Sequence, residues 1–162
     1  MNCVIILNQK ELTVSLNRMI KEFIRERLVE ELMVATDKKV VGGVLIKAIK
    51  TGRVLLLLRN DKRPVWALVS GGIDEGENVL DGLKREVYEE LFLRPSEVKI
   101  DFKFIRVEHF PEKSREFHYY EGLTPREFTP ILDRENLNWD WFDKNHLPSP
   151  LYKGLSEKIK AI

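Results

Sequence analysis

Residues 71–93, GGIDEGENVLDGLKREVYEELFL, constrain this chain more than any other stretch. Gly71, Gly72 and Gly76 permit a tight loop and close backbone approach just ahead of a helix. That helix is predicted to begin near Glu77 or Asn78, with Val79, Leu80, Leu83 and Val87 at helical spacing on its apolar side. Glu86, Glu89 and Glu90 then fall at i, i+3 and i+4, which puts all three on one face. Like charges at that spacing repel. An acidic face is most often only a solvated one. Beside a glycine-rich loop, three convergent carboxylates also make a hard-oxygen site suited to Mg2+ or Mn2+ and able to hold cations against phosphates. Arg85, set among these acids, can orient Glu77 through an ion pair.

The surroundings read as alternating strands. Residues 39–50 (KVVGGVLIKAIK) form a predicted strand in which Gly42 and Gly43 mark a bulge or close approach. A hairpin turn at Thr51 and Gly52 leads into residues 53–59, whose unbroken apolar run predicts burial on both faces. Residues 65–68 form a short strand before the glycines. Downstream, residues 98–109, 116–121 and 137–142 read as strands, residues 125–131 as a loop and residues 148–162 as an amphipathic helix. Strands with one helix in the middle and one at the end imply α/β packing in layers.

Residues 1–36 read as an extension to a domain at 37–162. Residues 4–7 suit a short strand, and Ser15 suits the N-cap of a helix running to about Met33. Leu16, Ile20, Phe23, Ile24, Leu28 and Leu32 recur at helical spacing. Such a stripe docks on its own domain, or alternatively makes a homodimer contact. Glu22, Glu26, Glu30 and Glu31 balance the helix's positive charge, which argues against a membrane-surface helix.

A formal net charge of +1 gives no global field toward nucleic acid or membrane. The most apolar run is far too short to span a bilayer. A single cysteine, Cys3, excludes an internal disulfide and, with no export signal at the N-terminus, fits a cytoplasmic protein.

The acidic segment resembles the Nudix box, G-x5-E-x7-R-E-U-x-E-E-x-G-U, where U is a bulky aliphatic residue. Gly71 matches the first Gly, Glu77 the first Glu, Arg85-Glu86-Val87 the R-E-U, Glu89-Glu90 the E-E and Leu93 the last U. Phe92 stands where the family has a Gly that closes the helix with positive φ, so the helix is expected to end differently, running on to Arg94 before Pro95. The flanks agree: residues 54–59 and 65–68 resemble the two strands before the box, Val69-Ser70 replaces a common Pro-Gly, and residues 135–142 (ENLNWDWF) resemble a Glu-then-Trp strand of several members. The resemblance covers residues 38–162. It implies an α/β/α sandwich around a mixed β-sheet, here with an additional N-terminal helix.

The resemblance implies hydrolysis of a phosphoanhydride in a nucleoside diphosphate linked to another moiety. Mg2+, or Mn2+, would be held by Glu86, Glu89 and Glu90, with Glu77 nearby and the Ser70 carbonyl as a further ligand. Glu89 or Glu90 could serve as general base, since crowded carboxylates can have one raised pKa. Family members also recruit a Glu beyond the box, for which Glu135 is the first candidate, ahead of Glu121 and Glu127. Arg59, Lys62 and Arg63 could bind phosphate, and Gly71 and Gly72 allow close approach of substrate. Trp66, Tyr119, Tyr120, Trp139 and Trp141 could stack on a base or sugar, although core packing is expected for one of Trp139 and Trp141. His118 and His146 are poor ligands for a hard ion. Because Glu135-x5-Trp141 resembles nucleotide-sugar members, nucleotide sugars or ADP-ribose stand ahead of nucleoside triphosphates and of dinucleotide or cap substrates. Competing readings are a non-catalytic nucleotide sensor, opposed by the intact acids, and a diphosphate isomerase, which by resemblance needs a cysteine in the site, a role for which Cys3 is poorly placed.

Overall fold

The structure, a computed structural model, describes residues 9–36, 38–94 and 96–161, with side chains of residues 12–30 in the first segment. The strand expected at residues 4–7, and Cys3, lie outside the described residues. The chain divides into two compact units, Met1–Lys38 and Lys39–Ile162. In the first, α1 spans Gln9–Thr36. Ser15 is therefore interior to the helix rather than its N-cap. Gln9, Lys10, Glu11 and Leu12 are all strong helix formers and carry the helix past it. Arg18 Nε pairs with Glu22 Oε1 one turn on at 3.3 Å. No helix among the described residues is long and apolar enough to cross a membrane.

The second unit is a seven-stranded mixed sheet with a helix packed on each face. Its strands are β1 (Lys39–Ala48), β2 (Val54–Arg59), β3 (Trp66–Ala67), β4 (Val69–Gly72), β5 (Asp101–Phe110), β6 (Arg115–Thr124) and β7 (Asn136–Phe142); its helices are α2 (Val79–Glu90) and α3 (Leu155–Lys160). β1 is the hub. It runs antiparallel to β2 and β4 and parallel to β6. β2 also pairs with β3 and β7, and β5 closes the sheet on the far side of β6.

Alternating side chains divide the core. Val44 and Ile46 of β1 and Leu55 and Leu57 of β2 face Leu83 and Val87 of α2 and Leu91 just beyond it. Leu45, Val54 and Leu56 face Leu155 and Ile159 of α3. This is period-two alternation in strands apolar on both sides, as the unbroken run in β2 predicted. Each fully buried Leu or Ile contributes about 1.5–3 kcal/mol relative to exposure. Trp141 joins the α2 side, where its Nε1–H donates to the Phe128 carbonyl at 3.0 Å; this fulfils the expectation that one tryptophan of the WDW run is core.

Three local expectations are corrected. Gly71 and Gly72 are not loop: with Ser70 they lie in β4, where Gly71 pairs with Gly42 and Ser70 with Gly43. Residues without side chains carry little strand propensity, and it is the long-range pairing with β1 that decides their state. The last helix is only Leu155–Lys160. Gly154, left-handed at φ 78, sets its start, while Pro148 and Pro150 keep the preceding segment irregular. The third correction concerns Phe92, where α2 ends.

Candidate active site

Helix α2 starts cleanly. Asn78 is extended and its side chain accepts from the backbone N–H groups of Leu80 at 3.0 Å and Asp81 at 3.4 Å, a regular N-cap. The polar side of the helix is organised by Arg85. Its Nη2 lies 3.0 Å from Glu77 Oε2, its Nη1 2.8 Å from Glu86 Oε1 and 3.4 Å from Glu89 Oε2, and Nη2 also reaches the Gly72 carbonyl at 3.4 Å. The Arg85 hydrogen bond holds the Glu77 carboxyl below the usual range, and Glu77 and Glu86 in turn hold the guanidinium firmly charged. Among the described residues, no group of three or more acidic or histidine side chains stands ready to hold an ion as placed, because Glu77, Glu86 and Glu89 all turn to this one cation.

Glu90 is different. It is 5% exposed, and its Oε2 is buried with no hydrogen-bond partner. Burial pushes its pKa up to about 8; the Asp133, Glu135 and Glu86 carboxylates add to the shift and Arg59 opposes it. A buried carboxylate oxygen without a donor is rare and calls for a partner. Glu90 and Glu86 offer oxygen ligands only, and Gly71 supplies the room: a Cβ there would fall 2.2 Å from the Glu86 carboxyl carbon. This donor set fits a hard divalent cation.

One residue past its C-cap, Leu91, the helix ends on Phe92 in the left-handed region, φ 45. Phe92 N–H donates to the Glu89 carbonyl at 3.3 Å and Leu93 N–H to the Tyr88 carbonyl at 3.0 Å. These are the two bonds of a Schellman closure. The helix thus stops where a glycine would have stopped it, rather than running to Arg94, and Phe92 bears about 1–2 kcal/mol of left-handed strain.

Glu86 and Glu90 open into a cleft of about 860 Å3 that also takes in Arg59, Ser70, Gly71, Gly72 and Glu135. Arg59 Nη2 lies 3.8 Å from Glu135 Oε2 at its rim. The floor is one face of the sheet. In register, Gly72, Val41, Phe117 and Glu108 form one row across β4, β1, β6 and β5; Ser70, Gly43, Tyr119 and Arg106 form another. Gly43 lets the Phe117 ring lie across it, since a Cβ there would meet that ring at 2.5 Å.

Other sequence candidates fall elsewhere. Arg63, Trp66, Glu77, Arg85 and Glu89 do not line the cleft. Trp66 packs edge-on against Phe142 at 4.9 Å, and Arg63 is exposed. Glu121 lies 3.9 Å from Lys47; Glu127 accepts from Thr51 Oγ1 at 2.6 Å and lies near Arg53. Sequence reasoning missed Asp133 beside Glu90, and missed the wall where Lys158 Nζ reaches Glu108 Oε2 and the Tyr119 hydroxyl, both at 2.6 Å. Burial alone would raise the Glu108 pKa, but the Lys158 ammonium outweighs it and holds the carboxyl low. Alternation of Arg115, Phe117 and Tyr119 could have put those three on one strand face. Nothing local could have brought Lys158 to them.

A family model described as the NUDIX domain matches residues 37–161. The RNA pyrophosphohydrolase of Sulfurovum sp. (strain NBC37-1) is 36% identical over 78 residues, 48% of this chain and 50% of that protein. The dihydroneopterin triphosphate diphosphatase of Escherichia coli (strain K12) is 30% identical over 113 residues, 62% of this chain and 75% of that protein. The chain thus spans about half the length of the first of these relatives. Among solved structures, the E. coli dihydroneopterin triphosphate pyrophosphohydrolase aligns with TM-score 0.59 and 22% identity over 76% of this chain and 93% of its own. A C. elegans Ap4A hydrolase binary complex aligns with TM-score 0.60 and 20% identity over 75% and 93%; at these identities the likeness establishes the fold. The family model reaches over nearly the whole second unit, and it includes the acids whose spacing first stood out: the chain belongs to the NUDIX domain family.

Proposed function

We propose that this chain is a Mg2+-dependent pyrophosphohydrolase that cleaves the phosphoanhydride of a nucleoside diphosphate linked to another moiety. The observation that carries this reading is the buried, unpartnered Oε2 of Glu90, beside Glu86 at the bottom of an open cleft. Glu90, Glu86, Glu89 and the Ser70 carbonyl would hold the ions, with Glu77 as a further ligand or a link to them. Divalent ions there would neutralise phosphate charge and acidify bound water. Arg85 keeps Glu77 ionised and holds both Glu77 and Glu86 in place. Arg59, at the cleft rim, and the β4 glycines would position the diphosphate. Of the acids beyond the box, Glu135 lines the cleft while Glu121 and Glu127 are tied elsewhere, so Glu135 is our assignment for the base that takes the water's proton.

For nucleotide sugars and ADP-ribose, Glu135 of the Glu135-x5-Trp141 motif lines the cleft, but Trp141 packs in the core. A second reading, a nucleotide carrying a longer phosphate chain, is favoured by Lys39, Lys113, Arg115 and Lys153, which also line the cleft. The test is incubation with nucleotide sugars, ADP-ribose, nucleoside triphosphates and dinucleoside polyphosphates plus Mg2+, following product release. Metal-dependent turnover lost in Glu90→Gln supports the reading. Tight binding without turnover would instead make the chain a nucleotide sensor.

A further inference from the structure

The cleft has a second end that takes no part in cleaving the anhydride itself. Lys39 and Arg115 are register partners in the parallel β1–β6 pair, so their side chains share a face, and both line the cleft. Lys113, from the turn before β6, and Lys153, from the segment before α3, line it too. Among the described residues, none of these four cations is in an ion pair. The Nε–H of Arg115 is buried and has no hydrogen-bond partner. Nearly all such donors in folded proteins are satisfied by protein or water, so this one is open to an acceptor from outside the chain.

The nearby acids do not supply it. Glu108 is committed to Lys158 at 2.6 Å and to Arg106 at 2.9 Å. Glu112 is exposed and stands alone against four cations. The Lys39–Arg115 row lies two residues along β1 from the Val41–Gly72 row and four from the Gly43–Ser70 row. At strand rise this is about 7 Å and about 13 Å. A group held there is not the group held at Ser70. A half-buried guanidinium flanked by ammonium groups is suited to the oxygens of a phosphate.

We propose that Arg115 and Lys39, with Lys113 and Lys153 at the rim, form a second phosphate subsite that accepts a phosphate group of the substrate remote from the anhydride being cleaved. Its place in turnover rests on the hydrolase reading above; its affinity for phosphate does not. The remote phosphate has two sources of the same chemistry: an internal phosphodiester of a 5′-triphosphorylated oligonucleotide, or the distal phosphates of a dinucleoside polyphosphate.

The first arm uses the full chain, 15N-labelled and metal-free in EDTA, titrated with inorganic phosphate at constant ionic strength. The Arg115 Nε–H resonance, assigned by its loss in Arg115→Lys, should move and saturate, and affinity should fall about tenfold in Arg115→Gln. An unmoved resonance overturns the subsite. Should Arg115→Gln fail to fold, the exposed pair Lys113→Gln with Lys153→Gln serves instead, with about threefold weaker binding expected. The second arm compares KM for a nucleoside triphosphate, a 5′-triphosphorylated dinucleotide and a dinucleoside tetraphosphate. Arg115→Gln should raise KM about tenfold for whichever longer substrate supplies the remote phosphate and leave the nucleoside triphosphate unchanged. An equal change for all three overturns the assignment. If the wild type cleaves none of these, nor the nucleotide sugars and ADP-ribose of the panel above, while the resonance still moves, the hydrolase reading falls and the phosphate site stands.

Discussion

The two ends of helix α2 obey different rules. At its start, Asn78 caps the first turn, Glu77 is tied to Arg85, and every polar group named there has a partner. At its finish, Glu90 is buried with an unpartnered oxygen among other carboxylates, and Phe92 sits in a conformation that suits glycine. Unsatisfied groups and strained backbone persist where the surrounding fold over-determines them, and such places concentrate at functional sites. On the proposed reading, the first half of the helix serves stability and the second half meets the metal and substrate.

The sharpest way to break that contrast is Glu90→Gln. Turnover should fall about 10³-fold, equivalent to about 4 kcal/mol of barrier, whereas Asn78→Ala should leave turnover within about threefold; steady-state kinetics on the substrate found in the panel decide it. Next comes pH. In the folded metal-free protein Glu90 keeps its proton up to about 8, against 4.5 for a free glutamate side chain. Stability from this group is therefore complete below pH 4.5 and lost as pH rises through about 8, by at most about 5 kcal/mol. Urea unfolding in EDTA should show the slope, and Glu90→Gln should abolish it. Saturating Mg2+ should stabilise more at pH 8 than at pH 6, because it favours the ionised carboxylate. A smaller effect is expected for Gly71→Ala, whose Cβ must displace the Glu86 carboxylate: about 1–3 kcal/mol in stability, with a higher Mg2+ concentration needed for half-maximal activity. Smallest, and opposite in sign, are the two helix ends. Asn78→Ala should destabilise by about 1 kcal/mol. Phe92→Gly should stabilise by about 0.5 kcal/mol, since relief of left-handed strain exceeds the added freedom of the unfolded chain. A destabilised Phe92→Gly would mean the ring does more than its 59% exposure suggests.

What was legible in the sequence was mostly local. The Arg85–Glu77 ion pair was expected and is present at 3.0 Å, and Glu86 and Glu90 both reach the cleft because residues four apart share a helix face. The apolar run of β2 announced its burial on both faces for the same kind of reason. The glycines of β4 carried no such message: their strand state comes from β1, some thirty residues earlier in the chain. Nor could the fate of Phe92 be read, because the preference of one residue was overruled by the closure of the whole helix end. The cleft's basic wall joins β1, β6 and the segment around α3, a meeting that only the folded sheet brings about.

Arg85 gives the acids a counter-charge of the protein's own. Folding of this region therefore need not wait for a metal supply, and the apo form can persist without its carboxylates driving one another apart. On the proposed reading, ion uptake would be an exchange in which Glu86 and Glu89 trade guanidinium contacts for a metal, so measured affinity would report the difference between two well-made states. Loading of this kind would stay reversible, tuned to the free ion concentration around it.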